Sequence, residues 1–396
     1  MLNYYKSKIF FIILFFIGII GCANENTEVK KLYFNSKLYS FEKIFQKVQD
    51  YTIPTVLNDS IKIFGINKIV EYNNSFLISD SRSHTLFLVS KRGKLKKIFG
   101  RKGKGPGDFI FLSDFIVTHD RKVLALDALT NTLNIFQKKK FINKVRLSFV
   151  HRFPEQILEC KDDKFIICAS RNLEDGSSKG NFRFLPYKQK CYLNLYDKDF
   201  NLNVSFVNPN PLYNKSMDVF AVPLMNTFSP SVVIGDKIYT MRQDGFYEII
   251  VSNCKGKRIT KYLVYQPHFV KFDLNSIQDH KVSGYNSNYS QEKQGQIIAS
   301  HSSPVSLHAI DKYLFITIVA PFDNAFEQYS TSEWAERKYH LDIYRVEKDE
   351  LKTVVGGIVM NKKIVGITQD NEILCIDNKY EENIKEIRIN KYRMKL

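Results

Sequence analysis

Residues 75–109, SFLISDSRSHTLFLVSKRGKLKKIFGRKGKGPGDF, contain the pattern that decides the fold class. Alternating apolar residues between polar turn signals predict three short β-strands, followed by a glycine-rich loop. A diverged copy, KVLALDALTNTLNIFQKKKFINKVRLSF, occupies residues 122–149, and Asp80 and Asp127 stand at matching places in the two copies. A strand-rich repeat of roughly 45 residues is typical of a β-propeller blade.

The same pattern continues to the C-terminus and predicts the number of blades. Five blades read as complete, and a sixth lacks its outermost strand, while residues 41–56 contain a strand that has no blade. Because ring closure removes exposed sheet edges, we expect this N-terminal strand to complete the sixth blade. The sequence therefore predicts an all-β, six-bladed β-propeller as a single domain over residues 41–396. Seven blades are the alternative, since the last blade has a weak pattern.

The first 21 residues have the features of an export signal. Lys6 and Lys8 precede an apolar run at residues 9–20, which is too short to be a transmembrane helix. The run ends in the motif IIGC, which resembles a bacterial lipobox. We expect a lipoprotein signal peptide at residues 1–21, and an ordinary signal peptide followed by a chance cysteine is the alternative.

The lipobox resemblance implies that Cys22 carries the lipid anchor and that residues 22–40 are its polar tether. Several acyl chains on one residue give stable membrane binding, whereas one chain gives marginal binding. By resemblance to other lipoproteins, Ala23 after the cysteine favours the outer membrane. A periplasmic and a surface-facing orientation both stay open.

The chain has a formal net charge of +17, spread over scattered lysines and arginines. Scattered lysines without a dense basic block are first an effect of composition. The alternative is a preference for anionic partners such as lipid A phosphates or acidic polysaccharide. Nucleic acid is not an expected partner outside the cytoplasm.

Two longer segments carry a resemblance to a known family. The sequence FLISDSRSHTLFLVSKRGK is similar to an NHL-type propeller repeat. The segment KVQDYTIPTV before the first blade and FGRKGKGPGDF after it, together with the lipobox, resemble a family of six-bladed β-propeller lipoproteins of Gram-negative bacteria. That family shares a loop of the type G-x-G-x-G-P-G-[ED]-[FY]. The resemblance implies the fold and the envelope location, and it implies no activity.

The glycine-rich loop at residues 100–109 has two interpretations. Glycines allow backbone N–H groups to converge on an anion, with cationic side chains around them. The candidate ligand-binding residues of the loop are Arg101, Lys102, Gly103, Lys104 and Gly105. The alternative is a tight structural turn between blades, formed by Pro106, Gly107 and Asp108. Asp80 and Asp127 are expected to accept backbone N–H groups in their own turns.

Four long connections, at residues 171–190, 208–230, 266–303 and 321–338, are predicted to lie on one face of the ring. In a four-stranded meander the second-to-third and the blade-to-blade connections emerge on the same side, and binding residues concentrate on such loops. The last connection contains four aromatic residues, Phe322, Phe326, Tyr329 and Trp334. They are candidates for stacking on sugar rings or gripping a partner, and pinning the loop to the blade is the alternative.

Histidines and cysteines give weaker signals. His268, His280 and His301 share one long connection, but their spacing fits no compact zinc motif. Cys168 and Cys191 are predicted to end one strand and begin its neighbour, which makes them a possible disulfide in an oxidising compartment.

The most direct functional interpretation is a lipid-anchored binding or interaction module of the cell envelope. Its expected partner is a protein or a polysaccharide, no cofactor or metal is predicted, and the oligomeric state stays open. The chain contains neither G-x-S-x-G nor H-E-x-x-H, and no catalytic residue is predicted. The alternative is a metal-dependent, lactonase-like hydrolase or lyase with Ca²⁺ or Zn²⁺ in the channel. A purely structural envelope protein is a third possibility.

Overall fold

The computed structural model describes residues 27–58, 61–148, 153–171, 190–208, 230–241, 247–271, 302–321, 338–348, 350–377 and 385–395. The N-terminal part contains short elements that precede the first blade. They are β1 (Glu28–Tyr33), β2 (Tyr39–Ser40), the one-turn helix α1 (Phe41–Ile44), β3 (Phe45–Pro54), β4 (Val56–Leu57) and β5 (Ile61–Lys62).

Three four-stranded antiparallel meanders follow. Blade one consists of β6 (Ile66–Glu71), β7 (Ser75–Asp80), β8 (Thr85–Ser90) and β9 (Leu95–Gly100). Blade two consists of β10 (Leu112–Val117), β11 (Val123–Asp127), β12 (Thr132–Gln137) and β13 (Lys140–Arg146). Blade three consists of β14 (Phe153–Glu159), β15 (Phe165–Arg171), β16 (Lys190–Tyr196) and β17 (Leu202–Asn208).

The remaining meanders complete the ring. Blade four consists of β18 (Ser231–Ile234), β19 (Lys237–Met241), β20 (Glu248–Asn253) and β21 (Arg258–Tyr265). Blade five consists of β22 (Ser303–Ile310), β23 (Tyr313–Val319), β24 (Tyr339–Glu347) and β25 (Glu350–Met360). Blade six begins with β26 (Lys362–Ile367), β27 (Ile373–Asp377) and β28 (Glu386–Met394).

The predicted ring closure is confirmed. β3 pairs antiparallel with β28 and fills the fourth position of blade six, so that Ile389 lies opposite Tyr51 and Ile387 opposite Ile53. Ile53 and Ile389 are fully buried, together with residues of blade one, in one apolar cluster. The described residues form six blades, as predicted, rather than the alternative of seven.

Two details of the N-terminal part differ from the sequence-based prediction. The expected tether region contains β1 and β2, which pair parallel with β21 and β25 as fifth strands at the outer edges of blades four and five. The apolar pattern predicts the first strand of blade one near residues 61–72, but this strand starts at Ile66 because Ile61–Lys62 pairs with Val56–Leu57 instead. A parallel edge strand leaves most of its side chains in solvent, so alternation of apolar residues does not mark it.

Apolar side chains fill the spaces between neighbouring blades. The second strands are almost entirely buried, as β7 and β11 illustrate, because both of their faces are covered by adjacent blades. The inner strands approach closely around the channel. At Gly366 a Cβ atom would lie 2.0 Å from the carbonyl oxygen of Ile69 on blade one, so only glycine allows this contact.

Candidate functional site

The six inner strands surround a central channel with a volume of about 730 Å³. Its wall is largely apolar. The charged residues, the histidine and the side-chain amides in the wall come from blades one, two, three, five and six. They are Asn67, Lys68, Asp114, Glu155, Gln156, Glu159, His308 and Lys363. Pockets of this type, apolar with a few polar groups, are common ligand sites.

Part of the polar wall ties neighbouring blades together. The Lys68 ammonium lies 2.9 Å from Oδ1 of Asp114 on the next blade. Oδ2 of Asp114 in turn accepts a hydrogen bond of 3.0 Å from the backbone N–H of Ile157 on the blade after that. Lys68 and Asp114 follow the same bulge position in their inner strands. This chain of contacts is therefore a repeated structural link between blades one, two and three.

A second link joins blades three and four. Gln156 occupies the same position after the bulge in β14. Its side-chain amide donates to the carbonyl oxygen of Ser231 at 3.0 Å and accepts from the Ser231 backbone N–H at 3.0 Å. These channel residues were not predicted from the sequence. The signal that marks them is a polar residue recurring at one position of an otherwise apolar first strand.

Two other channel groups have different surroundings. Burial, and then the positive charges of Lys68 and Lys363, lower the pKa of His308 to about 4. Nε2 of His308 is buried without a hydrogen-bond partner among the described residues. Burial also lowers the pKa of Lys363, and within the described chain no carboxylate forms an ion pair with it. The wall near β22 and β26 is thus locally positive.

The loop at residues 100–109 closes around its own carboxylate. A Cβ atom at position 103 would lie 2.7 Å from Oδ2 of Asp108, and one at position 105 would lie 2.9 Å from it. Because Gly103 and Gly105 have no Cβ atom, the carboxylate fits between them. Gly107 has a φ of +83°, and a Cβ at Gly100 would lie 2.1 Å from the Gly107 carbonyl oxygen. The space that an anion would need inside the loop therefore holds Asp108.

The cations of this loop point to its outer surface. Arg101, Lys102 and Lys104 are all exposed. His84 lies in the turn between the second and third strands of blade one. Burial lowers the pKa of His84 most, and the nearby positive charge of Lys102 lowers it further. The glycine-rich loop and that turn therefore share one side of the ring. We call this side the loop face; the opposite side, with the turns at residues 72–75 and 90–94, is the turn face.

Asp80 and Asp127 make equivalent contacts on the loop face. Asp80 accepts backbone N–H groups of Phe64, Arg82 and Ser83 at 2.7, 2.9 and 3.3 Å. Asp127 accepts those of Ile110, Phe111 and Thr130 at 2.8, 3.1 and 3.4 Å. Each carboxylate thereby joins its own turn to the segment that enters the inner strand of the same blade. Both are fully buried.

The long connections leave the described strands on the loop face. β15, β17, β21 and β23 end there, by the strand order and antiparallel pairing of their blades. The candidate residues Phe322, Phe326, Tyr329 and Trp334 lie outside the described residues, as do His280 and His301. His268 is described, and its Nε2 lies 2.9 Å from the carbonyl oxygen of Ser36.

The backbone register bears on the predicted cysteine pair. In the pairing of β15 with β16, Leu193 lies opposite Cys168 and Ser170 lies opposite Cys191, so the two cysteines occupy diagonal positions on neighbouring strands. The Cys168–Cys191 disulfide stays a prediction. Another pair is close: Sγ of Cys160 on blade three lies 3.8 Å from Sγ of Cys254 on blade four.

A buried carboxylate between blades four and five was also not predicted from the sequence. Asp342 accepts hydrogen bonds of 2.8 Å from the Tyr247 hydroxyl, the Gln266 side-chain amide and the Gly357 backbone N–H. Burial outweighs these three donors and raises the pKa of Asp342 to about 6. Tyr344 donates to the Tyr247 hydroxyl at 2.9 Å, which extends the network. None of the residues of this network lines the central channel.

No three His, Cys, Asp or Glu side chains among the described residues come together in an arrangement that could hold a metal ion. Within the same residues, no helix has the length and apolar character needed to cross a membrane.

The fold and the channel define a six-bladed β-propeller with a polar-linked central channel. The chain belongs to the family DUF5128, a family of six-bladed β-propellers, whose model matches residues 22–266. Comparison with curated proteins finds no match to the chain.

Two solved structures show the same architecture. A "putative exported protein" from Bacteroides fragilis is 14% identical, with a TM-score of 0.57 over 93% of this chain and 100% of that chain. A member of the DUF4221 family from Bacteroides vulgatus is 7% identical, with a TM-score of 0.57 over 89% of this chain and 98% of that chain. At such identities the likeness concerns the fold.

Proposed function

We propose that the chain is a lipid-anchored binding module of the outer membrane, which holds a protein or glycan partner on its loop face. The observation that carries the proposal is the asymmetry of the two faces. Four connections of 18 or more residues leave from strand ends on one face, whereas the described turns of the turn face span only a few residues. Binding residues concentrate on loops that a rigid scaffold presents together.

The anchor rests on the lipobox-like motif that ends in Cys22. A diacylglycerol on that cysteine and a further acyl chain on its amine supply the two or more chains that stable anchoring needs. With the Cys22→Ala variant, we expect the precursor to accumulate with its signal peptide uncleaved. Normal maturation of that variant, followed by mass spectrometry of the N-terminus, would contradict the lipid anchor.

The partner is expected to contact the loop face first through its cations and its long connections. Photo-cross-linking in intact cells tests this with one matched pair of positions. Lys102 lies on the loop face and Lys139 in a turn on the turn face, and both side chains are exposed. A cross-linking residue at position 102 should give a defined adduct, and one at position 139 should not. Adducts of equal yield from both positions would contradict the proposal.

The four aromatic residues of the last long connection are the next candidates. Trp→Ala changes at partner-binding positions often remove a large share of the binding energy. We expect Trp334→Ala to reduce the adduct formed from position 102 severalfold, with unchanged protein abundance. An unchanged adduct yield would indicate that these aromatic residues hold the loop against the blade and do not contact the partner.

A further inference from the structure

The channel wall between blades five, six and one contains a cation without a described counter-charge. Lys363 is the second residue of the inner strand β26 and lines the channel. Among the described residues it forms no ion pair, and burial alone lowers its pKa. Lys363 is half-buried on the wall of the channel, and an ammonium group that has lost part of its hydration is stabilised by a nearby anion. The channel beside Lys363 therefore offers both the space and the charge for an anion.

The neighbouring lysine in the channel shows what compensation looks like in this fold. Lys68 lies 2.9 Å from Asp114, and the Asp114 carboxylate is itself fixed by a backbone N–H of blade three. The negative charge of Asp114 therefore compensates the ammonium group of Lys68. Of the two channel lysines, Lys363 is the one without a described counter-charge.

His308 supplies a second group on the same wall. It lines the channel from β22, next to β26, and its Nε2 has no hydrogen-bond partner among the described residues. The only charges that shift its pKa are the two cations Lys68 and Lys363, and no carboxylate contributes. A neutral imidazole beside an ammonium group can donate one N–H to an oxyanion while the lysine supplies the charge.

We propose that the central channel holds a compact oxyanion, of the phosphate or carboxylate type, between Lys363 and His308. Three acidic residues line the channel, and none of them comes from blades five, six or one. Asp114 is paired with Lys68, and Glu159 bonds to His119 at 2.7 Å. Glu155 belongs to β14 of blade three, on another part of the wall from Lys363. This site is separate from the loop-face surface, so either one can fail without the other.

Isothermal titration of the full chain with sodium phosphate and, separately, sodium acetate tests the site. The buffer is low in chloride. We expect one anion per chain and at least a tenfold loss of affinity in Lys363→Met, because a charge-assisted contact is lost. The matched control is Lys96→Met on the outermost strand of blade one, where the side chain is exposed. It should bind like the unmodified chain, and the two arms show which oxyanion the site prefers.

A second readout separates binding from folding. The NMR signal of the His308 imidazole should shift during titration in the unmodified chain and stay still in Lys363→Met. Lys363→Gln provides a smaller change if Lys363→Met lowers the folded yield. The proposal is wrong if neither anion binds at millimolar concentration, or if both Lys363 variants bind as tightly as the Lys96→Met control.

The two close thiols carry an independent inference. Cys160 follows the inner strand of blade three, and Cys254 lies in the third-to-fourth turn of blade four. Their sulfur atoms are 3.8 Å apart, and 94 positions separate them in the sequence. In a disulfide the sulfur atoms are about 2 Å apart, so forming the bond requires the two sulfur atoms to approach by about another 2 Å. Cys254 is partly exposed, and hydrogen bonding to Cys160 lowers its pKa.

We infer that Cys160 and Cys254 form a disulfide between blades three and four when the exported chain meets a disulfide oxidant. The Cys254 thiolate attacks the disulfide of a thiol–disulfide oxidoreductase and displaces one of its sulfurs as a thiolate. Cys160, after losing its proton, attacks the Cys254 sulfur of the mixed disulfide and releases the second. The pair loses two protons and two electrons, and the oxidant's disulfide becomes two thiols.

Thiol counting on the full reduced chain, incubated with glutathione disulfide, tests this inference. We expect the loss of two reactive thiols and a Cys160–Cys254 linked peptide in a non-reducing digest. Cys254→Ser should lose none, and the control Cys168→Ser should still lose two. Full retention of thiols in the unmodified chain, or a linked peptide that contains other cysteines, would overturn it.

Discussion

Two strands of the N-terminal segment join the propeller in different ways. β3 takes the empty fourth position of blade six, pairs antiparallel along nine residues of β28, and buries Tyr51 and Ile53. β1 adds a fifth, parallel strand to a blade that is already complete, and Leu32 is its only buried side chain. β3 therefore closes the ring, whereas β1 covers an outer edge.

The two strands differ in how much apolar surface would be exposed to water if each were absent. Without β3 the last blade would lack its outer strand, and the apolar cluster shared with blade one would be open to water. Without β1 the outer strand of blade four would be an ordinary sheet edge, which proteins tolerate. Stability should therefore depend strongly on β3 and weakly on β1.

The largest effect is expected from Ile53→Ala in β3. Ile53 is fully buried, and removing its side-chain methyl groups leaves a cavity between two blades. We expect a loss of about 4 kcal/mol in the free energy of unfolding, measured by urea denaturation. The control is Val48→Ala on the same strand, where the side chain is 45% exposed, with a change below about 0.5 kcal/mol. Equal losses would remove the distinction between buried and exposed positions of β3.

The second effect concerns Asp342, whose network lies beneath the chain that follows β1. Burial raises its pKa from 3.8 to about 6. Between these values the native carboxyl keeps a proton that the unfolded chain has lost. Stability from this group is therefore present below about pH 4 and is lost as the pH rises through 6. The difference corresponds to about 3 kcal/mol.

Urea denaturation at pH 4 and pH 7 measures this dependence, and Asp342→Asn should remove its share. Phe34 packs edge-on against Tyr344, with ring centroids 5.2 Å apart. Phe34→Ala should therefore admit water, lower the pKa of Asp342 and reduce the pH dependence. If Asp342→Asn keeps the same dependence as the unmodified chain, other groups are responsible for it.

The prediction of the fold from sequence worked where the repeat is regular. The short apolar runs in β7 and β11, with Asp80 and Asp127 at their matching ends, indicate a blade because those strands are buried on both faces. The N-terminal strand could be assigned to blade six because the sequence of that blade lacks an outermost strand and ring closure needs one. β1 could not be predicted, since an exposed parallel strand has neither alternation nor a hairpin turn.

The channel contacts were less accessible to sequence reasoning. Lys68 and Asp114 are far apart in the chain, and their contact depends on how inner strands of successive blades align. The same reason explains Cys160 and Cys254, which belong to turns of different blades. The glycine-rich loop could be located, but the position of Asp108 inside it depends on backbone geometry that a motif does not specify.

A smaller effect is expected from Leu32→Ala in β1. Leu32 is 9% exposed and joins the apolar cluster between blades four and five. We expect a loss of about 2 kcal/mol, at the low end for buried leucine, because the outer edge can relax around the gap. Val29→Ala is the control, since Val29 is 57% exposed on the same strand. A loss in Leu32→Ala as large as in Ile53→Ala would mean that β1 also closes the ring.

The smallest effect is expected from Lys30→Met, which removes the ionic contacts of β1. The Lys30 ammonium lies 2.5 Å from Glu350 of blade five and 3.2 Å from Glu28. Hydrogen bonds from Lys30 and Lys352 lower the pKa of Glu350 to about 2. The pair is open to solvent, where water and salt screen it, so no measurable change in Tm is expected.

A local readout shows that Lys30→Met removes the contact even though Tm stays the same. The pKa of Glu350, followed by NMR, should rise toward its ordinary value, and only part of the way because Lys352 remains 3.0 Å from its other oxygen. Lys352→Met is the matched control, with a smaller rise and the same Tm. A fall in Tm comparable to that of Leu32→Ala would show that charge, rather than backbone pairing and one buried leucine, holds β1 on the blade. In that case high salt should reproduce the loss in the unmodified chain.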